Sequence, residues 1–252
     1  MSERVKSAER VLRIFELLTE NPQGLTLGDV TDQLGYPKSS AFALLTTMAA
    51  RGFLDHDPTS RRYRAGIRLW QAGQAFQTVP ALEQVAVPYL EQLRDRVNET
   101  AQLAVLDGVE NVYIAKVDSR QPLRLESRVG ARLPAYATGI GKALLSGLRD
   151  EEIRARFADV EMLPHTDQTI TDVDALVDAV GEVRRRGWAT DTSEYTPGVF
   201  CIAAPVSDRD GVVAAISVSL PEVRQSAAFV LEVSEAVQEQ ARALSRRLGA
   251  TV

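Results

Sequence analysis

The chain has 252 residues, of which 45% are hydrophobic and 25% charged, with a net charge of −5. That length suits two unequal domains, and the composition excludes a disordered chain. A single cysteine, Cys201, excludes an internal disulfide framework and fits a reducing compartment. The opening MSERVKSAERVLRIFELL holds no apolar run long enough for a signal peptide or a membrane span, so a soluble cytoplasmic protein is expected. The net charge hides an asymmetry: residues 1–70 carry 10 Lys+Arg against 8 Asp+Glu, and the rest carry 19 against 26. A mildly basic head on an acidic body is compatible with DNA binding, because the phosphate field acts on local charge.

SAERVLRIFELLTENPQG reads as an amphipathic helix, with Val11, Leu12, Phe15 and Leu18 expected on its buried face and Asn21-Pro22 and Gly24 as its stop. LTLGDVTDQLG follows as a short helix. Thr26 and Asp29 there resemble a capping box, Leu27, Val30 and Leu34 are the buried face, and Gly35 closes it. A third helix opens after YPKSS and runs through AFALLTTMAARG, with Pro37 suited to its first turn and Leu44, Leu45 and Met48 inward. Phe53-Leu54 and the Tyr63 region read as two short strands joined by DPTSRR. The plan is a winged helix-turn-helix over residues 1–66. The bland alternative is a three-helix packing domain with no DNA role.

Lys38, Ser39, Ser40, Phe42 and Thr46 lie on the outward, N-terminal half of the third helix, where a recognition helix meets phosphates and base edges. Arg61 and Arg62 in the wing turn are placed to reach flanking phosphate or a minor groove. With Thr26 at the second helix, these are the expected DNA-contacting residues, and double-stranded operator DNA is the expected partner. The stretches SAERVLRIFELL, LTLGDVTDQLGYPKSSAFALLTTMAARGFL and RRYRAG together resemble the DNA-binding domain of the IclR family of bacterial transcriptional regulators. Two positions depart from that family's pattern: Tyr36 stands where a leucine is usual, and Ala43 where an arginine is common. The second departure bears on operator sequence rather than on DNA binding itself.

IRLWQAGQAFQ, within residues 67–80, resembles the family's linker helix, with Ile67, Leu69, Trp70 and Phe76 as its apolar residues; a simple spacer is the alternative. Residues 81–252 are expected to form an α+β effector-binding and oligomerisation domain, GAF-like, with an antiparallel sheet flanked by helices. It opens with the helix ALEQVAVPYLEQLRDRVNE. Strands are expected in TAQLAVLDG, NVYIAKVDS, PLRLESRVG, WATDTSE, GVFCIAAPV and GVVAAISVSL. Helices are expected at 138–149, 150–158 and 171–187, the last with Thr171 as cap, and a closing helix over roughly 222–248.

LPAYATGIGKALL carries a Gly-Lys pair but is not a phosphate-binding P-loop: the required upstream glycine is Tyr136, and the hydroxyl after the lysine is Ala143. A glycine-rich helix start still leaves backbone N–H groups open to a small anion such as a carboxylate. Beside it, PGVFCIAAPV and VVAAISVSLP are similar to the family's other signature stretches. The resemblance implies that Gly139 and Ile140 offer backbone groups to an effector, and that Asp191, Cys201, Ser217 and Ser219 line its pocket. Leu125, Leu133 and Phe200 are further candidates for the wall, and Lys142 is either near the anion or simply an exposed helix lysine. Cys201 would need a histidine to act as a nucleophile, and only His56 and His165 exist. A small buried apolar role in its strand is the favoured reading. Two distant histidines and one cysteine offer no zinc spacing, so no metal and no cofactor are expected.

Together these readings imply a transcription factor, not an enzyme, whose operator affinity answers to a small organic metabolite, with a carboxylate as the expected chemistry. It would act as a homodimer or homotetramer with no membrane partner. The rival readings are a small-molecule enzyme with an accessory N-terminal domain, and a DNA-binding structural protein whose second domain only dimerises.

Overall fold

A computed structural model describes residues 5–75, 78–123 and 127–250. The chain divides into two compact units between Thr78 and Val79.

In the first unit, α1 (Lys6–Glu20), α2 (Leu27–Leu34) and α3 (Lys38–Ala50) precede the hairpin of β1 (Leu54–Asp57) and β2 (Arg62–Ala65), and α4 (Ile67–Gly73) follows. The buried stripe of α1 is Ile14, Leu17 and Leu18, with Val11 and Phe15 packed beside it. Leu12, expected inward, is 60% exposed. One residue after Val11 it is turned by about 100° around the helix, off the stripe that the 3.6-residue period keeps at 11, 14, 15 and 18.

The capping box of α2 is complete. The Thr26 hydroxyl accepts from the Asp29 N–H at 3.1 Å, and the Asp29 carboxylate accepts from the Thr26 N–H at 2.8 Å. These bonds hold the Asp29 carboxyl below its ordinary range. We expect Thr26→Ala to cost about 1 kcal/mol and Thr26→Ser to restore most of it; thermal unfolding of the full chain, followed by a probe in this unit, checks both. Pro37 is the N-cap of α3, one residue before the first turn. Inward, α3 presents Ala41, Leu45 and Met48, with Leu44 only partly covered. The hairpin pairs Leu54 with Ala65 and Asp57 with Arg62, and Leu25 bridges to Tyr63, tying the wing to the turn before α2. In α4, Ile67 and Trp70 are exposed, while Phe76 lies outside the described residues.

The second unit runs α5 (Thr78–Val97), β3 (Thr100–Asp107), β4 (Glu110–Val117), β5 (Arg132–Pro134), α6 (Gly139–Leu145), α7 (Asp150–Phe157), α8 (Val173–Arg186), β6 (Ala189–Thr192), β7 (Val199–Ser207), β8 (Val212–Pro221) and α9 (Ala227–Arg247). Its sheet is antiparallel, in the order β5-β4-β3-β8-β7-β6. The chain is thus α+β, as expected. The strand expected within 122–130 differs: its described residues form bends and a turn, and the edge strand is β5, a few residues later. The helix expected at 138–149 stops at Leu145, and α8 is capped by Asp172 rather than Thr171. The Asp172 carboxylate accepts from the N–H groups of both Asp174 and Ala175, which a carboxylate does better than a hydroxyl.

Strand alternation gives the sheet two unlike faces. Leu103, Ile202, Ile216, Val218 and Leu220 point to one side, against Leu90 and Leu93 of α5 and Val233, Val237 and Leu244 of α9. On the other side, Ala104, Ala203 and Ala215 are small enough to let Ile140 and Leu144 of α6 lie close over the sheet. Gln102, Cys201, Ser217 and Ser219 belong to that second side. No helix among the described residues is long and apolar enough to cross a membrane.

Candidate functional site

Two surfaces draw on the expected residues, one in each unit. On α3, Lys38, Ser39, Phe42, Ala43 and Thr46 are all exposed, and Phe42 remains 54% accessible. Ser40 departs from the expected outward position: it is half-buried, and its hydroxyl accepts a hydrogen bond from the Arg10 guanidinium at 2.9 Å. Arg10 also lies over the Tyr36 ring, 5.1 Å from its centre. The aromatic residue at position 36 therefore anchors α1 to the turn before α3, a contact no local sequence signal announces.

The wing arginines separate. Arg61 is exposed, in left-handed backbone with φ of 54°. Arg62 turns back instead, donating to the Gly24 carbonyl at 2.6 Å and standing 3.8 Å from the Asp29 carboxylate. It fastens the wing to the body of the unit, so of the two only Arg61 projects freely outward. The Thr26 hydroxyl accepts from the Asp29 N–H, and that bond does not use its own proton, which a phosphate oxygen could accept.

In the second unit a cavity of about 560 Å³ opens between the second face of the sheet, the start of α6 and the loop after β6. Gly139, Ile140, Asp191, Cys201, Ser217 and Ser219 all line it, as does Leu133. Phe200 does not: it alternates with Cys201 along β7 and is buried in the α5/α9 core. Leu125 lies outside the described residues. Gln102 and Tyr113 also line the cavity and were not anticipated. Their signal was a polar residue inside the apolar run of β3 and a tyrosine in β4, neither decisive without the pairing of strands.

The floor is a hydrogen-bonded patch. Gln102 Oε1 accepts from Ser219 Oγ at 2.8 Å and from Ser217 Oγ at 3.2 Å, and Cys201 Sγ lies 3.0 Å from Ser219 Oγ. Burial pushes the Cys201 thiol well above its usual range, with the nearby Asp191 adding to the rise. The thiolate that nucleophilic chemistry requires is thus disfavoured. His165 packs against Tyr136 and Tyr195, and no histidine is among the described lining residues.

Asp191 is the cavity's buried carboxyl, at 4% exposure. Burial pushes it up to about 7, opposed by N–H donors from Glu194 (2.8 Å) and Gly139 and by the charge of Lys142, while the Glu194 carboxylate reinforces the rise. The Gly139 N–H, expected to be open to an anion, is therefore already directed at this carboxylate. Unfolded, the group ionises near 3.8. Between those values the folded protein keeps a proton that the unfolded chain has released, so stability falls as pH rises through the window and levels off above about 7. At about 1.4 kcal/mol per pH unit the loss reaches a few kcal/mol. We expect Asp191→Asn to flatten the fall in melting temperature between pH 5 and 8; an unchanged slope would mean that another group titrates.

Lys142 is neither exposed nor on the cavity wall. It is 5% accessible, and its ammonium reaches both oxygens of Glu194 at 2.6 Å.

The family model for the IclR helix-turn-helix domain matches residues 7–58, and the one for the bacterial transcriptional regulator IclR C-terminal domain matches residues 76–246. The chain belongs to the IclR family. It is a transcriptional regulator with an N-terminal helix-turn-helix unit and a C-terminal effector domain. Among IclR-family relatives, the HTH-type transcriptional regulator XynR of Escherichia coli K12 is 34% identical over 246 residues, 97% of this chain and 98% of that protein. BhcR of Paracoccus denitrificans, also an HTH-type transcriptional regulator, is 36% identical over 242 residues, 96% of this chain and 86% of that one. An IclR homologue from Microbacterium hydrocarbonoxydans, solved in complex with 4-hydroxybenzoate, superposes with a TM-score of 0.83 at 25% identity, covering 96% of this chain and 99% of that one.

Proposed function

We propose that this regulator grips operator DNA through α3 and the wing, and that a small organic acid in the cavity of the second unit changes its operator affinity. The observation that carries the effector half is the convergence of Asp191, Cys201, Ser217, Ser219, Gly139 and Ile140 on one cavity large enough for such a ligand. A relative complexed with 4-hydroxybenzoate supports an organic acid as the class. Phosphate contacts fall to Lys38, Ser39, Arg61 and the Thr26 hydroxyl, while Ser40 and Arg62 act by holding the reading surface in place. Paired heads on a two-fold operator, in a homodimer or homotetramer, raise affinity and specificity together.

The cavity binds rather than catalyses. Its thiol is held protonated beside Ser219, and no histidine is among the described lining residues to act as its base. To change operator affinity tenfold the acid needs to favour one state by about 1.4 kcal/mol.

The test is a panel of short and aromatic carboxylates, scored by melting temperature and then by salt-titrated gel shift on DNA upstream of the protein's own gene. A supporting acid raises the melting temperature, alters the gel shift and loses both effects with Ser217→Ala/Ser219→Ala. A carboxylate entering beside Asp191 should also bind more weakly as pH rises above about 7, because the ionised carboxyl repels it. If no acid shifts either readout, or if one is turned over, the reading fails.

A further inference from the structure

The outward face of α3 is unusual for a surface that reads bases. Its sequence, KSSAFALLTTMAA, contains no Arg, Asn, Gln, Asp, Glu or His. Arginine, asparagine, glutamine and the carboxylates are, with lysine, the side chains that discriminate bases by hydrogen bonds in the major groove. The one charged residue, Lys38, is the first residue of the helix, and its ammonium is a point charge that suits backbone phosphate without paired geometry. Two of the hydroxyls are also engaged inside the unit: Ser40 with Arg10, and Thr47, which donates to the Ala43 carbonyl at 2.7 Å. Ser39, Phe42, Ala43 and Thr46 remain on the exposed arc. Serine and threonine accept either base partner and discriminate little.

Phe42 is then the largest discriminating group on the face. It is 54% exposed on a helix whose buried side is already filled by Ala41, Leu45 and Met48, so the first unit's core does not need it. An apolar ring at a major-groove edge has one specific complement among the four bases, the C5-methyl group of thymine. Ala43 beside it adds no bulk that would hold the ring away from the groove floor.

We propose that Phe42 packs on a thymine methyl and fixes a T·A pair in each half-site, so that this chain reads its operator by apolar contact where paired hydrogen bonds would ordinarily serve. This rests on the reading of α3 as the DNA-facing helix. Burying one methyl on the ring corresponds to about fourfold in affinity.

The experiment begins with in vitro selection of bound duplexes from a random library by the full-length protein. The selected site is then resynthesised with deoxyuridine replacing one thymidine at a time, which deletes the methyl and leaves pairing intact. The expected result is a loss of about fourfold at one thymine per half-site for the native chain, and no loss at that position for Phe42→Ala. Because the ring is exposed, Phe42→Ala should melt with the native chain; the native chain's own uracil profile decides the matter if it does not. Uracil tolerated at every position overturns the proposal while leaving DNA binding intact. An equal penalty in native chain and variant overturns it too, since another residue would then read the methyl. A selection that enriches no sequence overturns the DNA reading beneath it as well.

Discussion

Lys142→Ala should destabilise the second unit by about 3–5 kcal/mol, the range for stripping one partner from a buried ion pair. The pair is well enclosed, with side-chain exposures of 7% for Lys142 and 12% for Glu194. Its worth lies less in attraction than in what remains when it is broken. Without the ammonium, Glu194 is a carboxylate out of water, on a loop that also carries the N–H bonded to Asp191 and a carbonyl accepting from Thr169 at 2.6 Å. For a domain of this size the loss corresponds to a drop of roughly 6–20 °C in melting temperature. A volume-matched apolar pair, Lys142→Met with Glu194→Leu, should recover most of it, because no charge is then left buried. Denaturant unfolding of the two variants beside the native chain checks both; a loss under about 1 kcal/mol for Lys142→Ala would show that water reaches Glu194.

Gly141→Ala should be the most disruptive methyl that can be added to α6. A Cβ at this position would overlap the carbonyl oxygen and Cα of Ala135 and lie 2.7 Å from its carbonyl carbon, all backbone atoms that cannot rotate away. The 3-10 turn at Ala135–Ala137 and α6 would have to part, and every residue of Gly139–Leu145 is buried. Overpacking of this kind costs about 1–3 kcal/mol and occasionally more. Because Thr138 to Ile140 border the cavity, the same change should also weaken binding of the acid proposed above. Gly181, mid-helix in α8 with nothing within 4 Å of an added Cβ, is the control. Gly181→Ala should stabilise by up to about 1 kcal/mol through helix propensity alone. Thermal unfolding that ranks the two alike would refute the packing account. The glycine of the Gly-Lys pair is thus required by a close backbone crossing, which the failed P-loop pattern left open.

What could be read directly from the chain was local. Thr26 and Asp29 announced their capping box because both bonds close within four residues. The i, i+2 spacing of Ser217 and Ser219 placed them on one face of a strand. The same alternation excludes Phe200 from the cavity once Cys201 faces it, but it does not say which face is hollow; that depends on α5 and α9 filling the other side. Lys142 misled because its partner is 52 residues away in sequence. The hydrogen bonds of Arg62 to Gly24 and of Ser40 to Arg10 were likewise not legible, since these partners lie on other elements. Leu12 was a smaller error, a hydrophobic residue one step off the helical stripe.

The floor of the cavity has a consequence for reuse of the scaffold. Gln102 and Ser217 stand opposite each other across β3 and β8, and Cys201 and Ser219 across β8 and β7. The ladder joining these strands is made by backbone atoms and is indifferent to which side chains stand there, while the large hydrophobic residues that hold the unit together project the opposite way. Along these three strands the polar cavity floor thus stands opposite the α5/α9 core, beside the smaller cluster in which Ala104, Ala203 and Ala215 meet α6. Under the proposed function, a library confined to those four positions is the place to search for sensors of new molecules while the apolar α5/α9 side keeps its native sequence.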